Sequence, residues 1–176
     1  MREESIQRIR ALVRDVPDFP KPGIVFKDLS PLLADPEGLS LCTSLWQQSF
    51  ASLELEGIVG IEARGFIFGA ALAARCALPF YPVRKAGKLP GPTQQIRYAL
   101  EYGEDTLEMR AGVLRPKQRL LIVDDVLATG GTCQATADLL RLQGAEPLAA
   151  AFVLELGFLE GAQRLGSLQI ESLLRL

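Results

Sequence analysis

Two adjacent carboxylates, Asp124 and Asp125, stand directly after a short apolar run and shortly before a turn of small and hydroxyl-bearing residues. We call residues 128–132 the ATGGT turn; its members are Ala128, Thr129, Gly130, Gly131 and Thr132. A helical pattern follows, so the backbone N–H groups of the turn and the helix dipole can bind a phosphate. Because ligands of open α/β sheets bind at the carboxyl ends of the strands, the pattern predicts a phosphate site with two acids beside it.

Asp124 and Asp125 would repel a phosphate unless another group engages them. Ribose hydroxyls and a divalent cation such as Mg²⁺ are suitable partners, since carboxylates accept hydroxyl protons and bind this ion. The alternative is a plain strand-to-helix turn with an N-capping Asp, but it leaves the paired acids and the two threonines unexplained. The segment is neither a Walker A loop, which needs Gly-Lys-Ser/Thr, nor a G-x-G-x-x-G fingerprint.

A second candidate phosphate turn follows an earlier apolar run at residues 57–61. We call residues 62–65 the EARG turn; it contains Glu62, Ala63 and Arg64. Backbone amides ahead of a helix, together with the bidentate guanidinium of Arg64, suit a diphosphate. The alternative is that Arg64 pairs with a surface acid.

A polar stretch at residues 83–93, here called the basic segment, carries Arg84, Lys85 and Lys88 around Gly87 and Gly91. Cations on such a loop can close over an anionic substrate and exclude water. The alternative is an ordinary solvated basic loop. The chain contains no histidine, so any proton transfer falls to carboxylates, Lys, Tyr, Cys or the substrates.

The composition is that of one soluble globular domain, with 176 residues of which 48% are hydrophobic and 23% charged. A net charge of -2 argues against nucleic-acid binding. Three scattered cysteines (Cys42, Cys76 and Cys133) fit a reducing compartment and argue against a zinc site. No apolar run reaches the roughly 20 residues that span a bilayer, and the N-terminus lacks an apolar signal segment, so we expect a cytoplasmic protein without membrane contact.

Hydrophobic periodicity predicts an α/β fold, in which a single domain has a mostly parallel central sheet flanked by helices. A first helix is marked by Ile6, Ile9, Val13 and Val16, and a second is opened by Asp35-Pro36-Glu37. Strands are predicted at 57–61, 79–83, 119–123 and 147–154, and further helices at 68–77 and 134–143. A hairpin is predicted to turn at Gly103-Glu104-Asp105. After Glu155 the pattern predicts only a helix and a strand.

The string VDDVLATGGT resembles the phosphoribosyl diphosphate signature of the type I phosphoribosyltransferases. The strings EARGF, RKAGKLPGPT and LEYG resemble segments of the adenine phosphoribosyltransferases, and the resemblance extends to about Glu155. It implies the type I phosphoribosyltransferase fold in one domain, residues 1–176, with a small N-terminal hood and a flexible loop. Residues 1–35 would hold the N-terminal helix and the base-binding segment, and residues 84–110 the flexible catalytic loop and hairpin.

The activity implied by the resemblance is purine salvage, in which adenine and phosphoribosyl diphosphate give AMP and diphosphate with Mg²⁺, in a homodimer. The implied catalytic residues are Glu101, Arg64 and Tyr102, of which Glu101 handles the proton at adenine N7. The ATGGT turn would cradle the 5-phosphate, while Asp124 and Asp125 face the ribose hydroxyls near Mg²⁺, through water or substrate. The implied diphosphate-binding residues are Glu62, Ala63, Arg64, Arg84 and Lys88. In this family the peptide bond before the small residue is often cis, here Glu62–Ala63.

The segment FPKPGIVFKD (residues 19–28) resembles the base-binding segment of the adenine enzymes. By that resemblance Phe26 stacks on the purine, and Leu127 forms the other face of the slot. The Val25 carbonyl would accept from the 6-amino group, and the Lys27 N–H would donate to N1. Hypoxanthine and guanine reverse both groups, and such polar mismatches give selectivity of roughly 10⁴-fold or more.

Two other functions could use a phosphoribosyl diphosphate site of this kind. A transcriptional regulator could keep the phosphoribosyl diphosphate site as a sensor, but we see no additional length or basic region for a DNA-binding domain. A phosphoribosyltransferase for another base, such as xanthine, is disfavoured by residues 19–28 and by the glutamate of LEYG.

Overall fold

The computed structural model describes residues 2–100 and 103–176, apart from the side chain of Leu100. In chain order its helices and strands are α1 (Arg2–Ala11), β1 (Arg14–Pro17), β2 (Val25–Asp28), α2 (Ser30–Ala34), α3 (Gly38–Ser49), β3 (Gly57–Ile61), α4 (Arg64–Cys76), β4 (Phe80–Lys85), β5 (Thr93–Leu100), β6 (Gly103–Arg110), β7 (Arg119–Leu127), α5 (Gly131–Leu142), β8 (Glu146–Glu155), a 3₁₀ turn (Gly157–Leu159), α6 (Gly161–Arg164) and β9 (Gln169–Arg175).

The central sheet has seven strands in the order β5-β6-β4-β3-β7-β8-β9, and β1 and β2 form a separate pair. Strands β4, β3, β7, β8 and β9 run parallel, whereas the β5–β6 hairpin joins β4 in antiparallel fashion. This arrangement confirms the predicted α/β domain with a mostly parallel sheet. It also puts the carboxyl ends of β3, β4 and β7 at one edge.

Two apolar cores lie on the two faces of the sheet, because successive side chains of a strand point to opposite faces. Leu121 and Val123 pack in the core formed with α1, α3 and α4. Their neighbours Leu120 and Ile122 pack in the other core, with α5 and the hairpin. Strand β7 is therefore buried on both faces, as expected of a central parallel strand.

The N-terminal region differs from its sequence prediction. Helix α1 ends at Ala11, and Val16 instead pairs with Phe26 in the β1–β2 ribbon. The second predicted helix starts at Gly38 with Glu37 at its N-cap. Asp35 accepts a hydrogen bond from the Glu37 N–H at 2.9 Å, which forms a turn before the helix rather than its cap. Strand pairing and this local turn override the helical spacing of the apolar residues.

The hairpin turn predicted at Gly103-Glu104-Asp105 is wrong, because these residues are paired in a strand. Strands β5 and β6 pair with Leu100 opposite Gly103 and Tyr98 opposite Asp105, so Gly103, Glu104 and Asp105 lie in β6. Their turn-like residue types yield to the pairing of their backbone groups with β5. The segment after Glu155 forms a 3₁₀ turn, the short helix α6 and β9, which confirms the predicted helix and strand. Among the described helices, none has the length and apolar character needed to cross a membrane.

Phe68→Ala tests the core formed with α1, α3 and α4. Phe68 is fully buried and meets Trp46 edge-to-face, with ring centroids 6.1 Å apart. Its truncation leaves a cavity and should lower the free energy of unfolding by about 3–5 kcal/mol in urea denaturation. The neighbouring Ile67 is 42% exposed, so Ile67→Ala is the control and should cost about 0.5 kcal/mol or less. Equal losses in the two variants would contradict this account of the core.

Candidate active site

An open cleft of about 320 Å³ lies at the carboxyl edge of the sheet and joins the two predicted phosphate turns. The residues that line it are Glu62, Ala63, Arg64, Lys85, Asp124, Asp125 and Thr132. They belong to the turn after β3, the start of α4, the end of β4, the later part of β7 and the start of α5. The sheet topology thus brings together groups that are up to 70 positions apart in the chain (132 − 62).

Gly65 sets the distance between the EARG turn and the two acids. The peptide bond between Glu62 and Ala63 is cis, as the resemblance implied, and α4 begins at Arg64. A Cβ on Gly65 would lie 2.7 Å from the Val123 carbonyl oxygen and 2.9 Å from Asp124 Oδ1. Only a glycine lets α4 come this close to the end of β7.

Asp124 and Asp125 are in different environments although they are adjacent. Asp125 is 6% exposed, and its carboxylate forms an ion pair with the Arg64 guanidinium. The Asp125 N–H donates to Asp124 Oδ1 at 2.9 Å. Burial, and secondly the charge of Asp125, raise the pKa of Asp124 well above its usual range. The pair therefore combines a carboxylate that has a cationic partner with one whose charged form is disfavoured by its surroundings.

The ATGGT turn lines a smaller cavity of about 80 Å³ together with Asp124, Leu127 and Phe152. Gly130 is the N-cap of α5 and has a φ of +76°, a backbone conformation that L side chains rarely adopt. Helix α5 begins at Gly131, so its first N–H groups are those of the turn and the residues that follow it. The turn has the geometry of an anion site at a helix N-terminus.

Arg84 and Glu62, both predicted at the diphosphate, bind each other. Arg84 Nη2 and Nε donate to the two Glu62 carboxylate oxygens at 2.9 and 3.1 Å, and Arg84 Nη1 donates to the Lys88 carbonyl at 3.1 Å. The hydrogen bond from Arg84 is the main reason that the pKa of Glu62 is lowered. Among the described residues, no carboxylate forms an ion pair with the Lys88 ammonium group. Arg84 thus lies beside the EARG turn with its charge already paired.

Glu108 is not among the predicted site residues, but its side chain binds the backbone of the basic segment. Its side chain is buried, and Oε1 accepts from the N–H groups of Lys88 and Leu89 at 2.8 and 2.9 Å. Oε2 accepts from Gln95 Nε2 at 3.0 Å. Burial alone would raise the pKa of Glu108, but the backbone donors outweigh it and lower the pKa. In the sequence Glu108 looks like any outward acid of an alternating strand, so no local signal distinguishes it.

The side chains of Lys85, in the basic segment, and Tyr98 also approach the site. Lys85 lines the cleft and forms an ion pair with Asp105. The Tyr98 hydroxyl is 3.4 Å from Asp105 Oδ2 and 3.3 Å from Thr132 Oγ1. These contacts connect the hairpin to the ATGGT turn. They depend on the pairing of β5 with β6, which residue types in the chain do not reveal.

Only some of the predicted base-binding residues lie near the cleft. Phe26 meets Phe19 edge-to-face at 5.2 Å, and the Arg64 guanidinium carbon is 5.7 Å from the Phe26 ring centroid. Val25 is half exposed, and Lys27 Nζ forms an ion pair with Asp15 Oδ1 at 2.6 Å. Leu127 is 1% exposed and packs in the core on the α5 face. The predicted catalytic residues Glu101 and Tyr102 lie outside the residues described.

The family profile of the phosphoribosyl transferase domain matches residues 29–163, which include the cleft and both turns. The fold and the site therefore define a phosphoribosyltransferase. An adenine phosphoribosyltransferase of Synechococcus sp. (strain RCC307) is 53% identical over 99% of both chains. One of Sorangium cellulosum is 55% identical over 90% of this chain and 80% of the relative. The chain belongs to the adenine phosphoribosyltransferases of this family.

Solved structures of the family share the fold. The adenine phosphoribosyltransferase of Rhodothermus marinus has a TM-score of 0.92 and 44% identity over 99% of both chains. That of Saccharomyces cerevisiae, solved with a dideoxyimino-altritol bisphosphate and adenine, has a TM-score of 0.92 and 35% identity over 98% of this chain and 99% of that one. That of Trypanosoma brucei, solved with AMP, pyrophosphate and ribose-5-phosphate, has a TM-score of 0.85 and 27% identity over 97% and 79%. The predicted enzyme class and its place in purine salvage are confirmed by these relatives.

Glu108→Gln should release the segment that Glu108 holds. A glutamate whose pKa is lowered in the folded state contributes stability above its unfolded pKa, and this contribution is lost as pH falls through the lowered pKa. Hydrogen exchange at the Lys88 and Leu89 amides should therefore show protection near neutral pH that disappears in acid. The variant should reduce the protection factor about tenfold or more at neutral pH and should flatten its pH dependence. Glu104→Gln is the control, because Glu104 lies on the same strand but is exposed. Matching hydrogen-exchange profiles for the wild type and both variants would show that Glu108 does not hold the basic segment.

Proposed function

We propose that this cleft binds phosphoribosyl diphosphate and adenine and releases AMP and diphosphate. The observation that carries the proposal is the meeting of the EARG turn, the two acids and Thr132 around one open cleft. A phosphoribosyl diphosphate has a phosphate at one end, a diphosphate at the other and ribose hydroxyls between them. The cleft offers an anion-binding turn at each end and carboxylates between the turns.

The proposed contacts follow this order along the substrate. The ATGGT turn holds the 5-phosphate through Ala128, Thr129, Gly130, Gly131 and Thr132. Asp124 and Asp125 accept hydrogen bonds from the ribose hydroxyls. The diphosphate lies against Glu62, Ala63 and Arg64, with Arg84 and Lys88 supplied by the basic segment. Support comes from the Trypanosoma brucei relative, whose structure contains AMP, pyrophosphate and ribose-5-phosphate.

Mg²⁺ is the proposed metal, and the acids fit it as incomplete ligands. The Asp125 carboxylate oxygen that has no hydrogen bond is paired with the Arg64 guanidinium, and Asp124 stands beside it. Within residues 2–100 and 103–176, no cluster of three or more Asp, Glu, Cys or His could hold a metal ion. This combination suits Mg²⁺, which is commonly bound through one or two carboxylates plus water and substrate phosphate. When bound, the ion would neutralise charge on the leaving diphosphate.

The proposed reaction is a dissociative displacement at ribose C1, in which positioning and electrostatics supply most of the rate. Arg64 and the basic segment hold the leaving diphosphate, and closure of that segment excludes water from the reaction centre. Glu101 would manage the proton at adenine N7, and Tyr102 would serve the reaction centre or the diphosphate. The LEYG resemblance supports both assignments. Residues 84–110, which include β5 and β6, form the catalytic loop and hairpin of a single domain that spans residues 1–176.

Adenine is the proposed base, held in the hood formed by residues 1–35. Phe26 stacks on the purine, and the backbone groups of Val25 and Lys27 recognise N1 and the 6-amino group. The contact between Arg64 and the Phe26 ring supports this, because it brings the stacking residue to the diphosphate end of the cleft. The Saccharomyces cerevisiae relative, which contains adenine, supports the same base.

A homodimer in the cytoplasm completes the proposal. The family resemblance supports the dimer, and three free cysteines, Cys42, Cys76 and Cys133, fit a reducing compartment. The net charge of -2 disfavours a nucleic-acid partner.

A competition assay tests the function and the base together. The protein, phosphoribosyl diphosphate and Mg²⁺ are incubated with adenine, hypoxanthine, guanine and xanthine, and nucleotide products are separated by chromatography. Adenine should react with a kcat/KM roughly 10⁴-fold above that of the other bases. Absence of AMP from folded protein would sink the proposal in favour of a phosphoribosyl diphosphate sensor. Preferred formation of another nucleotide would replace adenine as the base.

Glu101→Gln should reduce kcat by about 10²–10⁴-fold, because general acid–base catalysis contributes on this scale. Its KM for phosphoribosyl diphosphate should change by less than about threefold, since Glu101 is assigned to the base proton and not to the phosphates. Exposed Glu104 in the same hairpin provides the control, and Glu104→Gln should retain kcat. Equal kcat values for the two variants would remove Glu101 from the mechanism.

A further inference from the structure

The turn that opens α6 packs directly on the ATGGT turn, backbone against backbone. A Cβ on Gly161 would lie 2.1 Å from the Ala128 carbonyl oxygen and 2.9 Å from the Gly130 nitrogen. In the opposite direction, a Cβ on Gly130 would lie 2.5 Å from the Gly161 carbonyl oxygen. Separations below 3.0 Å do not occur for real Cβ atoms, so any side chain at Gly161 would displace the ATGGT backbone.

The rest of the C-terminal segment keeps this turn in place. Leu165 is 1% exposed and Leu168 is 6% exposed, and both pack in the core on the α5 face. The Leu165 N–H donates to the Ala162 carbonyl at 3.1 Å, and β9 then adds the edge strand of the sheet beside β8. Gly161 is therefore held against the ATGGT turn by a segment whose next residues are packed in the core.

Arg164 brings a positive charge to the same place. Its Nη1 atom lies 3.5 Å from the position that a Cβ on Gly131 would take, at the first residue of α5. Arg164 is exposed and forms no ion pair with the part of the chain that the structure describes. A cation beside a helix N-terminus is electrostatically unfavourable, because that end carries about half a positive charge. A bound dianion would convert this repulsion into attraction.

We propose that the segment Gly161–Arg164 is part of the phosphate site. Gly161 is a positioning residue that fixes the shape of the ATGGT backbone, and Arg164 adds charge toward a phosphate monoester on the ribose. The inference rests on the proposed function, since it takes the ATGGT turn to bind the 5-phosphate. It gives the segment after Glu155 a role beyond packing.

Steady-state kinetics of Gly161→Ala test the positioning role. The KM for phosphoribosyl diphosphate should rise about tenfold or more, because small displacements of a binding turn have large effects, while the KM for adenine stays within about twofold. Gly166→Ala is the matched control, since Gly166 lies in the same segment with a φ of +60° and has no atom within 4 Å of its Cβ position. Its two KM values should remain within about twofold of wild type, even if its melting temperature falls.

Arg164→Gln provides a variant that does not disturb the backbone. It should raise the KM for phosphoribosyl diphosphate about two- to tenfold at low salt, and Arg164→Lys should recover part of the loss. The difference from wild type should shrink at about 1 M salt, where the Debye length is near 3 Å.

The proposal is overturned if both KM values change by the same factor, or if neither changes, in Gly161→Ala and Arg164→Gln. An inactive wild-type protein would instead reject the proposed function, so the two failures are distinguishable.

Discussion

The close approach of backbones around the end of β7 is the constraint on which the site depends. Gly65 lets α4 reach Val123 and Asp124, and Gly130 and Gly161 let the ATGGT turn and α6 touch. A Cβ atom at any of these three glycines would collide with the opposing backbone. The positions of the two phosphate turns are thus determined by main-chain packing, which is more rigid than contact through long side chains.

Strand β7 can serve as this centre because it is buried on both faces. Its apolar residues alternate between two cores, so neither face is free to move relative to the helices packed on it. The chain places two acids in this strand, between the buried residues Val123 and Leu127. Their burial explains why the pKa of Asp124 is raised and why Asp125 needs the Arg64 guanidinium. A charged pair in this position is stable only with ligands or counter-charges, which is typical of functional sites.

The sequence predicts the parts of the molecule that depend on local pattern. Strand β3, the start of β7 and the two glycine-bearing turns follow from apolar runs and residue types, and sheet topology then requires their ends to meet. Contacts set by distant pairing do not follow in this way. Glu108 gains its role only when β6 lies beside the basic segment, and the turn expected at Gly103 gives way to pairing with β5. Leu127 illustrates the same limit, because its position next to a functional turn does not reveal that its side chain enters a core.

The ion pairs around the cleft have a consequence for how an anion enters it. Arg64 is paired with Asp125, Arg84 with Glu62 and Lys85 with Asp105, so these cations are already neutralised by acids of the same chain. An anion that binds to any of them competes with a carboxylate for the same cation. Its affinity is therefore a difference between two ion pairs, and salt weakens both sides of that difference.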